Sequence, residues 1–306
     1  MSDQRRPGMD HEHYAWSPLP ARARLRWPGE ARVAVCAIVS LQHVEWTPPA
    51  GSVQAPHLYS HLAMQRPLPE FWLISQREYG HRIGIFRLCE VLAKHGVRPT
   101  IAMDAMTARN YPYLVRYCIE RGYEFIAHGV SASRMITSRM SEEEERACIA
   151  ESIAALTAAT GRTPTGWAGA DYGESARTPQ LLAEAGIRYV CDWANDEQPY
   201  RMKTTQGDLH ALPVMVELDD AFALRDRHFR VDEYGQMLKD AFDTLYRDAA
   251  VSGRVLALNL HPWLMGQPFR TRFLDEALAH MMRRGGVWSA SGSEIIAAYA
   301  SNASNG

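Results

Sequence analysis

Glu124-Phe-Ile-Ala-His128-Gly-Val-Ser131 decides how this chain is read: a short apolar run, entered past Gly122, that delivers a histidine and then Gly129. A run of this length bounded by glycines reads as an inner strand of an α/β sheet or barrel. In such folds the carboxyl ends of parallel strands carry the chemistry, because the loops there vary while the strands fix positions. A second stretch, Val255-Leu-Ala-Leu-Asn-Leu-His261-Pro-Trp263, ends the same way. Two strands that bring a histidine to one rim form the core of the sequence argument.

Outward from these strands the chain alternates regularly. Val33 to Leu41 is a strand that places Ser40 and Gln42 on the same face at its end. Helical periodicity over 82–95 stops at Gly96, and 100–103 is a strand followed by a helix at 112–121. Ser141 before Glu142-Glu-Glu-Glu145 is a capping signature for a helix that ends at Gly161. Strands follow at 165–168, 188–191, 209–214 and 287–289, with helices at 179–185, 232–251, 270–284 and 293–300. Strand and helix in alternation predict parallel strands with crossover helices, hence a barrel or a doubly wound sheet. Residues 1–32 form an N-terminal extension, 33–300 one catalytic barrel, and 301–306 a disordered tail. Within the barrel, 46–75 is rich in proline and reads as an arm or lid.

The composition narrows the function classes. With 306 residues, 46% hydrophobic, and a net charge of −2, the chain can bury a sizeable core. No basic block exists to neutralise phosphates, so nucleic acid is not the expected partner. No apolar run reaches the roughly 18 residues of a membrane span. No apolar segment follows the charged first residues, so no secretory signal is expected and a cytoplasmic setting is. The five cysteines are odd in number and dispersed, which favours reduced core residues over bridges or a zinc cluster.

The His128-Gly-x-Ser131 strand end, Gly166-Trp167, Tyr189-Val-Cys-Asp192-Trp193-Ala-Asn-Asp196-Glu-Gln-Pro-Tyr200 and Leu260-His261-Pro-Trp263 stand in an order that resembles the polysaccharide deacetylase (NodB-homology) superfamily. The likeness spans roughly residues 32–299 and is greatest to the branch of metal-independent allantoinases and cyclic-imide hydrolases. It implies a distorted (β/α)7 barrel with a pocket at the strands' carboxyl ends, a hydrolase of non-peptide C–N bonds in a small amide, cyclic imide or ureide, and a homo-oligomer. The alternatives are a metal-dependent polysaccharide or amino-sugar N-deacetylase, and a non-catalytic ligand-binding barrel. In the metal-dependent relatives the first strand ends in two aspartates and two histidines stand four residues apart. Here the first strand ends Ser40-Leu-Gln42-His43-Val-Glu45, and Ala132 stands four residues after His128. The usual two-His-one-carboxylate site is therefore incomplete. No cofactor is expected, a divalent metal such as zinc being open only through another ligand set, with His43 or Glu45 joining His128 and His261.

His128 and His261 are the catalytic candidates, His261 as the acid that protonates the leaving nitrogen, since imidazole titrates near neutrality. Glu45 is a candidate base. Gln42 on the inner face suits substrate orientation, because an amide both donates and accepts. His43, Tyr79, Trp167, Asp192, Asp196 and Trp263 complete the substrate-binding candidates, with Arg82 beside Tyr79. Trp167 reads as an apolar wall and Trp193 as core, and Asp192 and Asp196, which exit one strand together, read either as supplying the carboxylate that orients a histidine or as part of an Asn-Asp turn. His57 and His61 have helical metal-ligand spacing but lie in the Pro-rich stretch and read as surface residues. Glu217, Asp219 and Asp220 read as a solvated loop.

Overall fold

Strand β1 (Val33–Leu41) is buried at every position, as a strand apolar on both faces must be. In the computed structural model, which describes residues 10–53 and 69–304, it is the last strand but one in the order of a nine-stranded sheet. It pairs in parallel with β2 (Thr100–Met103) on one side and β8 (Arg254–Leu260) on the other, and its start also pairs with β9 (Val287–Ser289). Beyond β2 come β3 (Glu124–Ala127), β4 (Gly166–Trp167), β5 (Tyr189–Val190), β7 (His210–Ala211) and β6 (Tyr200–Arg201). The last pairing is antiparallel, where the alternation predicts parallel strands throughout. The sheet curls into the half-barrel of an α/β fold.

The pleat sorts the side chains of each strand to two sides, because successive residues point to opposite faces. Along β1, Val33, Val35, Ala37, Val39 and Leu41 join the outer core between sheet and helices. Ala34, Cys36 and Ile38 join an inner core within the curl, together with Ala102, Ile126, Ala168, Cys191 and Ala257. The same alternation carries Ser40 and Gln42 inward after β1, His128 after β3, and Asn259 and His261 along β8. Trp167 falls on the other parity and is sealed in the outer core.

Helices α1 (Phe71–Tyr79) and α2 (Ile85–Lys94) are joined by a π-turn, Gly80–Gly84, so helical structure begins well before residue 82, where the periodicity starts. Helices α3 (Ala105–Asn110) and α4 (Pro112–Glu120) follow β2. The capping box at Ser141 and Glu144 opens α5 (Glu142–Thr160), and Gly161 closes it at φ 72°. Helix α6 (Thr178–Glu184) precedes β5, and α7 (Val231–Asp248) precedes β8. Pro262 starts the short α8 (Pro262–Met265), whose proline suits the first helical turn. Helices α9 (Thr271–Met282) and α10 (Gly292–Ser304) complete the chain, α10 running into the stretch expected to fray.

The N-terminal extension packs on the barrel through buried Leu25, Trp27 and Ala31. The Trp27 indole donates to the Arg254 carbonyl at 2.8 Å, and Arg22 pairs with Asp196. His57, His61 and residues 54–68 of the Pro-rich arm lie outside the described residues. Among the described residues no helix is long and apolar enough to cross a membrane.

Candidate active site

Because β1, β3 and β8 run in parallel and in register, the residues that follow them reach one rim. Gln42, His128 and His261 line a single narrow cleft there, with Asn259, Asp219, Asp171, Tyr172 and apolar Ile38, Ala168, Cys191 and Val214. The cleft encloses about 350 Å3 of atom-free space including its mouth, and its interior leaves about 20 Å3. That interior has room for roughly one water.

The hydrogen bonds of His128 settle its protonation. Its Nδ1 faces the Ala168 carbonyl, which can only accept, so Nδ1 carries the proton. Burial pushes the imidazole down to about 4, against the Ala168 bond, and the charge of His261 adds to the effect. The ring is therefore neutral at pH 7 and Nε2 is an acceptor. The Gln42 amide nitrogen lies 2.8 Å from that Nε2 and donates to it.

His261 is shifted in the opposite direction. Its Nδ1–H donates to Asp220 Oδ1 at 2.6 Å and its backbone N–H to Oδ2 at 2.9 Å. Burial alone would pull its pKa down, but the charges of Asp220 and Asp219 outweigh this and raise it. Burial raises the pKa of Asp220, while the charge of His261 and its two N–H donors work against that rise. Asp219 is equally occupied: Oδ2 accepts from the Tyr172 hydroxyl at 2.6 Å and Asn259 Nδ2 at 2.7 Å, and Oδ1 from the amides of Ala221 and Phe222. Ser40 donates to Asn259 Oδ1 at 2.8 Å, fixing that amide's orientation.

Asp219 and Asp220 thus correct the reading of their loop as solvated: only Glu217 is exposed, while the two aspartates are buried at 3% and 0%. Their burial follows from the packing of the 216–226 turns against α7, where the Tyr234 hydroxyl donates to the Leu218 carbonyl at 2.9 Å. The φ values of Asp171 (51°) and Tyr172 (56°) are positive although neither is glycine. Such geometry costs on the order of 1–3 kcal/mol per residue and concentrates at functional sites. Here the Tyr172–Asp219 bond holds it.

Other candidates fall elsewhere. Glu45 is not in the cleft: Arg134 clamps both its oxygens at 2.8 and 2.7 Å and Ser131 donates at 2.8 Å. Burial would raise its pKa, but Arg134 and Ser131 bring it below the usual carboxylate range. Glu45→Gln is accordingly expected to change kcat by far less than the roughly 10²-fold of an acid–base group, as steady-state kinetics would register. His43 packs toward Tyr111, and its backbone N–H donates to Asp104. The Tyr79 hydroxyl meets Arg87 and the Gly266 carbonyl, and Arg82 is exposed. Trp167 is core rather than pocket wall, whereas Trp193 packs partly buried against the core, as expected. Asp196 anchors Arg22 and the extension. Asp192 braces the cleft wall by accepting the Gly169 N–H with both oxygens, at 2.8 and 2.9 Å. Burial raises the pKa of Asp192, and burial together with the Asp192 charge raises that of neighbouring Glu174. Trp263 lies beside the site, 6.1 Å from the His261 ring, with the Arg77 guanidinium 3.3 Å from its own ring.

Asp219, Asp220 and His261 offer ligand atoms within 4.8 Å of one another, the grouping among the described residues able to take a metal ion. To hold an ion these residues would have to give up partners they already have. The His261 Nδ1 lone pair is used up by a proton shared with Asp220, and four donors fill the Asp219 oxygens. His128 Nε2 is capped by Gln42.

This rim-borne site agrees with what the chain is similar to. Residues 80–190 match the family model described as Polysaccharide deacetylase. Over these residues the chain resembles the polysaccharide deacetylase (NodB-homology) family. A probable polysaccharide deacetylase from Pseudomonas aeruginosa PAO1 is 27% identical with a TM-score of 0.80, the likeness covering 91% of this chain and 94% of that one. PuuE allantoinase is also 27% identical with a TM-score of 0.80, over 92% and 94% of the two chains. The peptidoglycan deacetylase of Helicobacter pylori is 22% identical over 70% of this chain and 83% of its own. Resemblance to this family, together with these relatives, supports a hydrolase of carbon–nitrogen bonds.

Proposed function

We propose that this protein hydrolyses a C–N bond in a small cyclic amide, imide or ureide without a bound metal. The observation that carries the reading is the sharing of one cleft by a neutral histidine capped by an amide and a second histidine paired with a buried aspartate. The likeness to PuuE allantoinase supports the substrate class.

The chemistry follows from His261. Asp220 holds its Nδ1–H, so Nε2 is the reactive nitrogen. Neutral Nε2 takes a proton from water as the water oxygen bonds to the substrate carbonyl carbon, whose π electrons move onto oxygen. Asp220 stabilises the imidazolium that results. When the tetrahedral intermediate collapses, the C–N bond breaks and Nε2 returns its proton to the leaving nitrogen, which gives a carboxylic acid and an amine or amide. An imide or ureide carbonyl needs less electrophilic help than a plain acetamide, which matches a site without a Lewis acid.

The test is turnover of cyclic imides, ureides and N-acetylated amino sugars, with and without chelator, on protein of measured metal content. Chelator-insensitive hydrolysis of an imide or ureide is expected. Chelator-sensitive deacetylation would replace this reading with the metal-dependent one, and binding without turnover would replace it with a ligand-binding barrel. Homo-oligomerisation belongs to the same reading and is checked by light scattering.

A further inference from the structure

We propose that Gln42 is the electrophile of this site, its side-chain N–H donating to the substrate carbonyl oxygen as negative charge develops there. The proposal rests on the hydrolase reading above. It begins with the inward parity of residue 42 after β1 and with its 9% exposure. Because Nδ1 of His128 must donate to Ala168, Nε2 must accept, and only the NH2 end of the Gln42 amide can face it. The Ala168 carbonyl thus fixes the orientation of an amide two links away. One N–H is spent on His128. Among the described residues no protein group takes the other N–H or the Oε1, although the side chain is nine-tenths buried and lines the cleft.

A buried N–H without a protein partner, fixed at the reaction cavity, is what an oxyanion site requires: it needs no reorientation when charge appears. His128 then acts through Gln42, as the residue that positions the amide. This explains why a histidine with its lone pair occupied stands at the rim. Across the cleft, His261 handles the protons and Gln42 the oxygen. The two roles do not compete for one atom.

The experiment compares wild type with Gln42→Met and Gln42→Glu, which preserve length, on the imide or ureide that wild type turns over, with thermal melts to verify folding. Loss of one oxyanion donor lowers kcat by roughly 10²–10³-fold with KM little changed, because the bond strengthens only in the transition state. Imidazole 15N spectra give a readout independent of turnover: wild-type His128 is expected as the Nδ1–H tautomer with Nε2 accepting, and Gln42→Met shifts only the Nε2 signal. Wild-type-like kcat in folded Gln42→Met overturns the assignment and leaves the hydrolase reading standing, and so does an Nε2–H tautomer in wild type. Absence of wild-type turnover on every substrate class overturns both.

Discussion

His261→Ala is expected to lower kcat by roughly 10²-fold or more with little loss of fold, the usual size of an acid–base contribution. Asp220→Asn should come close to it. The aspartate accepts two N–H groups from residue 261, and an asparagine has one oxygen to offer, so either the ring or the backbone loses its partner. The pH profile separates this account from a merely structural one. Asp220 and Asp219 raise the His261 pKa above the ordinary ~6.5, and the neutral ring is the one that accepts the water proton. The wild-type rate should therefore climb with pH through an inflection above ~6.5. Removing the Asp220 charge moves that inflection toward acid while the maximum falls. His128 contributes no inflection near neutrality, since burial holds it at about 4.

The second large effect concerns packing. Gly84→Ala should destabilise the protein by roughly 3 kcal/mol or more, at or beyond the upper range for overpacking, and impair turnover with it. A Cβ at Gly84 would stand 2.0 Å from the Pro262 carbonyl oxygen, and one at Gly266 would stand 2.2 Å from the same atom. Gly80 lies against Trp263 as well, a Cβ there falling 2.7 Å from its backbone nitrogen. The π-turn that inserts between α1 and α2 thus packs directly against the turn after His261. Those obstacles are backbone and cannot swing aside, so α2 must retreat or the His261 seat must move. Denaturant titration reads the first outcome and kcat of the folded fraction the second.

The architecture was legible in the chain because β1, β3 and β8 announce themselves as apolar runs and the capping box at Ser141 marks α5. His128 and His261 were legible for the same reason: a strand end is a local feature. Strand parity, which separates inward Gln42 from outward Trp167, was available in principle from period-two alternation once the inner face is known. Asp220 was not, because Glu217-Leu-Asp-Asp220 looks solvated until Tyr234 and the β8 rim close over it. Glu45 resembles a free base in the chain, since its partner Arg134 lies 89 residues away. Nor does any local signal mark Gly84 as a contact with Pro262.

The central claim is that the cleft shared by His128 and His261, with His261 moving the protons, carries out C–N hydrolysis without a metal. It is tested most directly by the rate of hydrolysis of a cyclic imide or ureide by protein stripped of metal and verified so by elemental analysis. The account predicts undiminished turnover, abolished by His261→Ala. Loss of activity on stripping, restored by added zinc, would contradict it.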